Sequence, residues 1–216
     1  MSRPTKSRSP RATRVKRNGA EEQARVRDRI LVAFSARARR SGIRAVLMAE
    51  LASDLRMSAM TLYKHFASKD ELVDAMVDAW ALELAAIDAL EWEKAKSCAS
   101  ALEVLLSWAD AWTASLSQVS PAFFADLHRD HPDAWERFHA VIDERKQVAA
   151  GHLRSFVRED ADPEIVFQML DLLVTQAAKP RFVETLGVSR RDAVRAAISL
   201  WGGGALRQRT TLRPVS

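Results

Sequence analysis

The stretch Leu51-Ala52-Ser53-Asp54-Leu55-Arg56-Met57-Ser58-Ala59-Met60-Thr61-Leu62-Tyr63-Lys64-His65-Phe66, followed by Ala67-Ser68-Lys69-Asp70-Glu71-Leu72, decides how this chain is read. Met48, Leu51, Ala52 and Leu55 recur at steps of three and four, the stripe of a helix that buries one face. That helix ends near Leu55. Ser58 is placed to cap a second helix whose core contacts, Leu62 and Phe66, are again four apart. Ser68-Lys69-Asp70-Glu71 has capping-box spacing and opens a third helix. Ala52 is small enough for two helices joined by so short a turn to cross closely, so the spacing predicts a helix-turn-helix.

In that arrangement Ser58, Ala59, Met60, Thr61, Tyr63 and Lys64 stand at or near the start of the second helix, the end that such helices insert into a major groove. Tyr63, His65 and Lys69 add a phenol, an imidazole and an ammonium, groups suited to phosphate oxygens. Arg44 is close enough in sequence to supply another phosphate contact.

Thr61-Leu62-Tyr63-Lys64-His65-Phe66-x-Ser68-Lys69-x-Glu71-Leu72 resembles the DNA-binding signature of the tetracycline-repressor (TetR) family, over roughly residues 25 to 75. The resemblance implies that Tyr63, His65 and Lys69 hold phosphates, that Ala59, Met60, Thr61 and Lys64 face bases, and that Leu62 and Phe66 are core. Two departures stand out. Arg56 occupies a turn position where the family commonly has glycine, which predicts a non-glycine residue at positive φ at a cost of order 1 kcal/mol. Val46 and Leu47 stand where the family often has a hydroxyl residue that caps the first of the two helices.

The net charge of +5 over 216 residues hides an asymmetry. Residues 1–70 carry 17 Lys and Arg against 6 Asp and Glu, whereas residues 71–216 carry 16 against 22. A polyanionic partner is therefore expected for the half that bears the helix-turn-helix. The absence of any run of eighteen apolar residues predicts no membrane span. No apolar segment follows the basic N-terminus, and the sole cysteine, Cys98, has no intrachain partner, so a cytoplasmic protein is expected.

Three regions follow. Residues 1–20 hold Arg3, Lys6, Arg8, Arg11, Arg14, Lys16 and Arg17 with no acid and three breakers, which predicts a disordered basic arm. Such an arm either neutralises phosphates or is simply a solvated tail. Residues 21–68 make the DNA-binding domain, with a first helix over 21–41 closed by Gly42 at a left-handed position. Residues 69–216 read as helix throughout, from a connecting helix reaching about Leu90 and a turn within Glu91–Ser97 to a last helix opening at Ser189. Ser120-Pro121 and Asp162-Pro163 mark two further helix starts. The fold class is all-α: a three-helix helix-turn-helix domain followed by a helical effector-binding and dimerisation domain.

Within the second region, Trp108, Trp112, Phe123, Phe124, Trp135 and Phe138 lie on consecutive helices that could enclose a cavity. The resemblance places an effector site there, with His128, His139, Gln168, Asp171 and Gln176 as its candidate polar groups and a small apolar or aromatic molecule as its occupant. The segment 163–178 carries apolar residues around much of its circumference, and the last helix is rich in small residues. Ile165 and Leu172 with Val194, Ala197, Ile198 and Trp201 are the expected homodimer interface; a deeply buried central helix is the other reading of the same pattern. No phosphate-binding glycine loop, nucleophile elbow or paired-histidine motif is present, and Gly202-Gly203-Gly204 follows a helix, so no enzyme is expected. No cofactor is expected, and no metal despite His128, His131 and His139. The predicted function is a transcriptional regulator, most often a repressor, on a palindromic double-stranded DNA operator. The alternative is an architectural protein that coats DNA without sequence preference.

Overall fold

The computed structural model describes residues 10–95 and 100–206, with side chains over 19–93 and 100–206. Residues 1–9 of the expected arm, and Cys98 with its neighbours in 96–99, lie outside the described residues. The helices are α1 (Pro10–Ser41), α2 (Met48–Asp54), α3 (Ala59–His65), α4 (Lys69–Ala95), α5 (Ala101–Ser117), α6 (Pro121–Asp130), α7 (Pro132–Leu153), α8 (Pro163–Ala177), α9 (Pro180–Leu186) and α10 (Arg190–Ala205). Among the described residues there is no strand, only an isolated antiparallel bridge between Val157 and Leu206. The fold is all-α, with an N-terminal helix-turn-helix and a C-terminal helical region.

Two compact units emerge: Met1–Val77 with Ser120–Ala134, and Asp78–Val119 with Trp135–Ser216. The division falls inside α4 rather than at the boundary expected at 68/69, and α6 joins the first unit. Local sequence pattern could not show this, because the Ser120 N–H donates to the Arg39 carbonyl (2.7 Å) at the other end of the unit's chain. The core of the first unit comprises Ile30, Phe34 and Ala38 of α1, Leu51 and Ala52 of α2, Leu62 of α3, Phe66, Leu72 and Met76 of α4, and Phe123 and Leu127 of α6, all buried. The second unit packs α5, α8 and α10 around Leu105, Ala109, Ala177, Val194, Ile198 and Trp201. Asp110 of α5 ties α10 by accepting from Arg191 (2.8 and 3.0 Å) and Arg195 (2.6 Å).

Helix starts follow the local chemistry. Side chains of Ser58, Ser120, Asp162 and Ser189 accept backbone N–H bonds from Thr61, Phe123, Glu164 and Asp192 respectively, each satisfying one unpaired first-turn donor. Ser68 accepts from the Glu71 N–H (3.1 Å), while the Glu71 carboxylate reaches one residue further back than the usual box, to the Ala67 N–H (2.7 Å). Two expectations need correction. Residues 10–20 are helical, not an unstructured arm: Pro10 opens α1 where a missing N–H costs nothing, and Arg, Ala and Lys extend a helix already nucleated, outweighing the ~1 kcal/mol cost of Gly19. The short helix α9 was not foreseen, although Pro180 at its first position and left-handed Gly187 (φ 63°) at its end bracket it.

Candidate nucleic-acid interface

α2 and α3 form the helix-turn-helix. Ala52 and Leu51 of α2 are buried against the unit's core, as are Leu62 and Phe66. Arg56 sits in the turn at φ 56°, the left-handed conformation expected there. Leu47 stands at the N-cap of α2 and makes no side-chain cap bond, which is what the missing hydroxyl implies. On α3, Ala59, Met60, Tyr63 and Lys64 are exposed, while Thr61 and His65 are half-buried. Ser58 is an N-cap first: its Oγ accepts from the Thr61 N–H (3.0 Å) and pairs with Thr61 Oγ1 (2.9 Å).

Two cations expected at phosphates are engaged within the unit. The Lys69 ammonium donates to the Val46 carbonyl (2.9 Å), and burial pushes its pKa below the ordinary lysine value against the pull of Asp126, Asp130 and Asp70. Arg44 donates through Nε (2.7 Å) and Nη2 (3.0 Å) to the Asp130 carboxylate, and its backbone N–H donates to Asp126 Oδ2 (2.9 Å). Both are positioned as struts between the α1–α2 loop, α4 and α6, each with hydrogen-bonding capacity to spare.

Arg27 of α1 is the brace of the unit. It donates to the carbonyl of His65 and to Glu71 Oε1 (2.8 Å), and its guanidinium lies 3.8 Å from the centre of the Phe66 ring. Thus one side chain of α1 fixes the C-terminus of α3 against the start of α4. The Arg27 bond, and then the Ala67 N–H, hold the Glu71 carboxyl below the usual range.

Residues 36–76 match the family model described as bacterial regulatory proteins, tetR family. Over this segment the chain is similar to the tetR family. The match spans the end of α1, all of α2 and α3, and the start of α4, the elements whose geometry is given above. Solved structures share the fold over most of the chain. A putative TetR-family regulator from Mesorhizobium loti is 17% identical, with a TM-score of 0.65 over 86% of this chain and 98% of that one. A putative transcriptional regulator from Saccharomonospora viridis, solved in complex with choline, is 18% identical, with a TM-score of 0.62 over 86% and 100%. SmeT, the repressor of the Stenotrophomonas maltophilia multidrug efflux pump SmeDEF, is 18% identical, with a TM-score of 0.52 over 88% and 94%. No curated protein matches the chain.

Outside the segment that matches the family model, the second unit contains a polar centre. Asp88 of α4 is 3% exposed. Its Oδ1 accepts from the indole N–H groups of Trp108 (2.7 Å) and Trp112 (2.9 Å) of α5. Among the described residues its Oδ2 has no hydrogen-bond partner, though Arg145 Nε of α7 lies 3.7 Å away, and that nitrogen and Trp92 Nε1 are likewise buried without hydrogen-bond partners there. The Ser107 hydroxyl donates to Glu91 Oε2 (2.6 Å) in the same unit. Asp88, Trp92 and Arg145 were missed by sequence reasoning. The available signal was the run Trp80, Leu84, Asp88: an acid at the next four-residue step of a buried stripe.

The residues of the expected pocket are divided between the two units. Trp108 and Trp112 share the Asp88 centre, and Trp135, Phe138 and His139 stack along α7, Phe138 lying 4.8 Å from Trp80 ring to ring. Phe123, Phe124 and His128 belong to the other unit, on α6. Gln168 and Gln176 are exposed, and Asp171 pairs with Lys146 (3.0 Å), because one side of α8 faces solvent. The expected dimer interface divides as well. Ile165 and Leu172 are exposed and Ala197 half-buried, but Val194, Ile198 and Trp201 are buried in the chain's own core. Trp201 also donates to the Val166 carbonyl (2.9 Å). The exposed apolar face consists instead of Ile165, Met169, Leu172 and Leu173 on α8 and Leu200 on α10, of which Ile165, Met169, Leu173 and Leu200 line a groove of about 500 Å³.

The histidines do not converge: His131 Nδ1 lies 3.1 Å from Asp70, and His139 packs on Trp135. Among the described residues no group of three or more His, Cys, Asp and Glu is arranged to hold a metal ion, and no helix is long and apolar enough to cross a membrane.

Proposed function

We propose that this chain is a homodimeric, sequence-specific transcriptional repressor, released from a palindromic operator by a small-molecule effector; it acts by binding, not catalysis. The observation that carries the reading is the division of α3: Leu62 is spent on the core, while Ala59, Met60, Tyr63 and Lys64 are exposed. An outward helix on a basic, tetR-family unit suits a major groove. Tyr63, His65, Arg44 and Lys69 are the phosphate-facing set of this reading.

The dimer reading is supported by the apolar α8–α10 face, since two-fold symmetry presents two recognition helices to a palindrome. Its occupant in this proposal is a second copy of the chain. The effector reading is supported by the Asp88 centre, where three buried polar atoms without hydrogen-bond partners among the described residues stand among tryptophans. An aromatic or apolar molecule carrying one polar group suits it, and the choline bound by the Saccharomonospora viridis protein is a small organic precedent on this fold. Because α4 is one continuous helix belonging to both units, it is the element through which effector binding shifts the population of operator-competent dimers.

The test is selection of bound duplexes from a random-sequence pool with full-length protein at near-physiological salt. A palindromic consensus is the expected result, and candidate effectors should then lower affinity for it. Equal retention of all sequences would overturn the reading in favour of a DNA-coating protein.

A further inference from the structure

We propose that Met60 reads the C5-methyl group of a thymine in each operator half-site; the inference rests on the regulator reading above. Met60 is 72% exposed at the second residue of α3, an unusual position for a large apolar side chain. Residues 60, 63 and 64 are three and four apart, so they share one face of the helix. That face is narrow: Tyr63 and Lys64 flank Met60, so it is not the broad apolar patch that a protein partner needs.

The other groups at the start of α3 have little to offer a base edge. The Ser58 and Thr61 hydroxyls bond to each other, Ser58 also accepts the Thr61 N–H, and Ala59 has no polar atom. No Arg, Asn, Gln, Asp or Glu occurs anywhere in α3, so the bidentate readers of adenine and the acceptors for cytosine are missing, and Lys64 alone is left for guanine. The first turn is therefore an apolar reader. In the major groove only one base presents an apolar group, the thymine methyl. Lys64, one turn further along, is the only ammonium on the face and suits guanine O6 and N7.

The experiment uses full-length protein and the consensus duplex obtained by selection. Each thymine is replaced singly by deoxyuridine, which removes the methyl and keeps the Watson–Crick edge. One thymine per half-site should lose about fourfold in affinity when its methyl is removed, the scale of one buried methyl group. In Met60→Ala that uracil effect should vanish, because alanine ends at Cβ, whereas in Lys64→Ala it should persist. Met60 is exposed, so Met60→Ala should keep the wild-type melting temperature and remain a fair comparison. Indifference of the wild-type protein to uracil at every thymine, or an undiminished uracil effect in Met60→Ala, would overturn the inference while leaving the regulator reading intact. Failure to recover any consensus would overturn both.

Discussion

Arg44 and Asp130 form a two-point ion pair: the guanidinium Nε and Nη2 of the α1–α2 loop meet the two carboxylate oxygens at the end of α6 at 2.7 and 3.0 Å. The pair joins residues 86 positions apart, and it occupies the side chain that the regulator reading assigns to a phosphate. A carboxylate there competes with DNA for the same fork of donors. Asp130→Asn removes the competitor and one repulsive charge beside the duplex, so operator affinity should rise about threefold at low salt, with a steeper salt dependence. Fluorescence anisotropy titrations at several salt concentrations measure both; a weaker complex would mean that Asp130 orients Arg44 rather than withholding it.

The same pair makes acid stability legible. Bonds from Arg129 and then Arg44 hold the Asp130 carboxyl down to about 2, below the ordinary aspartate value near 3.9. A depressed folded-state pKa contributes stability that is complete above the unfolded value and is lost as pH falls through the folded one. Wild type should therefore exceed Asp130→Asn in urea midpoint at pH 6, and the gap should close between about pH 4 and pH 2. A gap constant over that window would show that the ion pair contributes nothing measurable.

Two left-handed residues flank α2 and answer oppositely to substitution. Gly42 has φ 92°, and a Cβ added there would meet Asp126 Oδ2 at 2.7 Å and Ala122 Cβ at 3.1 Å. Asp126 cannot yield, since it is held by the Arg44 N–H (2.9 Å) and by Arg129 (2.7 Å). Gly42→Ala should cost about 2–3 kcal/mol through strain and a displaced buried acid. Arg56, at φ 56°, pays for its conformation without needing its side chain for the core, so Arg56→Gly should stabilise by about 0.5–1 kcal/mol. Denaturant unfolding of the two variants separates these signs.

Local chemistry was legible in the sequence where its partners are neighbours. Ser58, Ser120, Asp162 and Ser189 cap helices within three residues of themselves, and Arg56 was marked because it stands where the resembled family commonly has glycine. What needed the fold was long-range. Asp126 and Asp130 are ordinary helix acids until α6 is brought to the loop before α2, and Lys69 reads as a free ammonium until Val46 is seen beside it. On α10, periodicity groups Val194, Ile198 and Trp201 correctly as one stripe but cannot say that this stripe is spent on the chain's own core. Met60 was legible as an exposed residue; that its neighbours' hydroxyls are mutually occupied was not.

The apolar face left on α8 and α10 makes the last prediction. Ile165, Met169, Leu172 and Leu173 follow helical spacing on α8, and Leu200, 81% exposed, is the counterpart on α10. Ala196 and Gly203 lie on the same outward side of α10 as Leu200, four residues before and three after, so a helix from a second copy can approach closely there. Leu172→Glu with Leu200→Asp places two charges into that contact without touching the buried stripe, so the monomer should keep its helical content and melting behaviour. Sedimentation velocity should then show a species of half the wild-type mass, and operator affinity should fall at least tenfold as the two half-sites are bound independently. A variant that still sediments as a dimer would place the interface elsewhere, and one that binds the full palindrome as tightly as wild type would separate dimerisation from operator recognition.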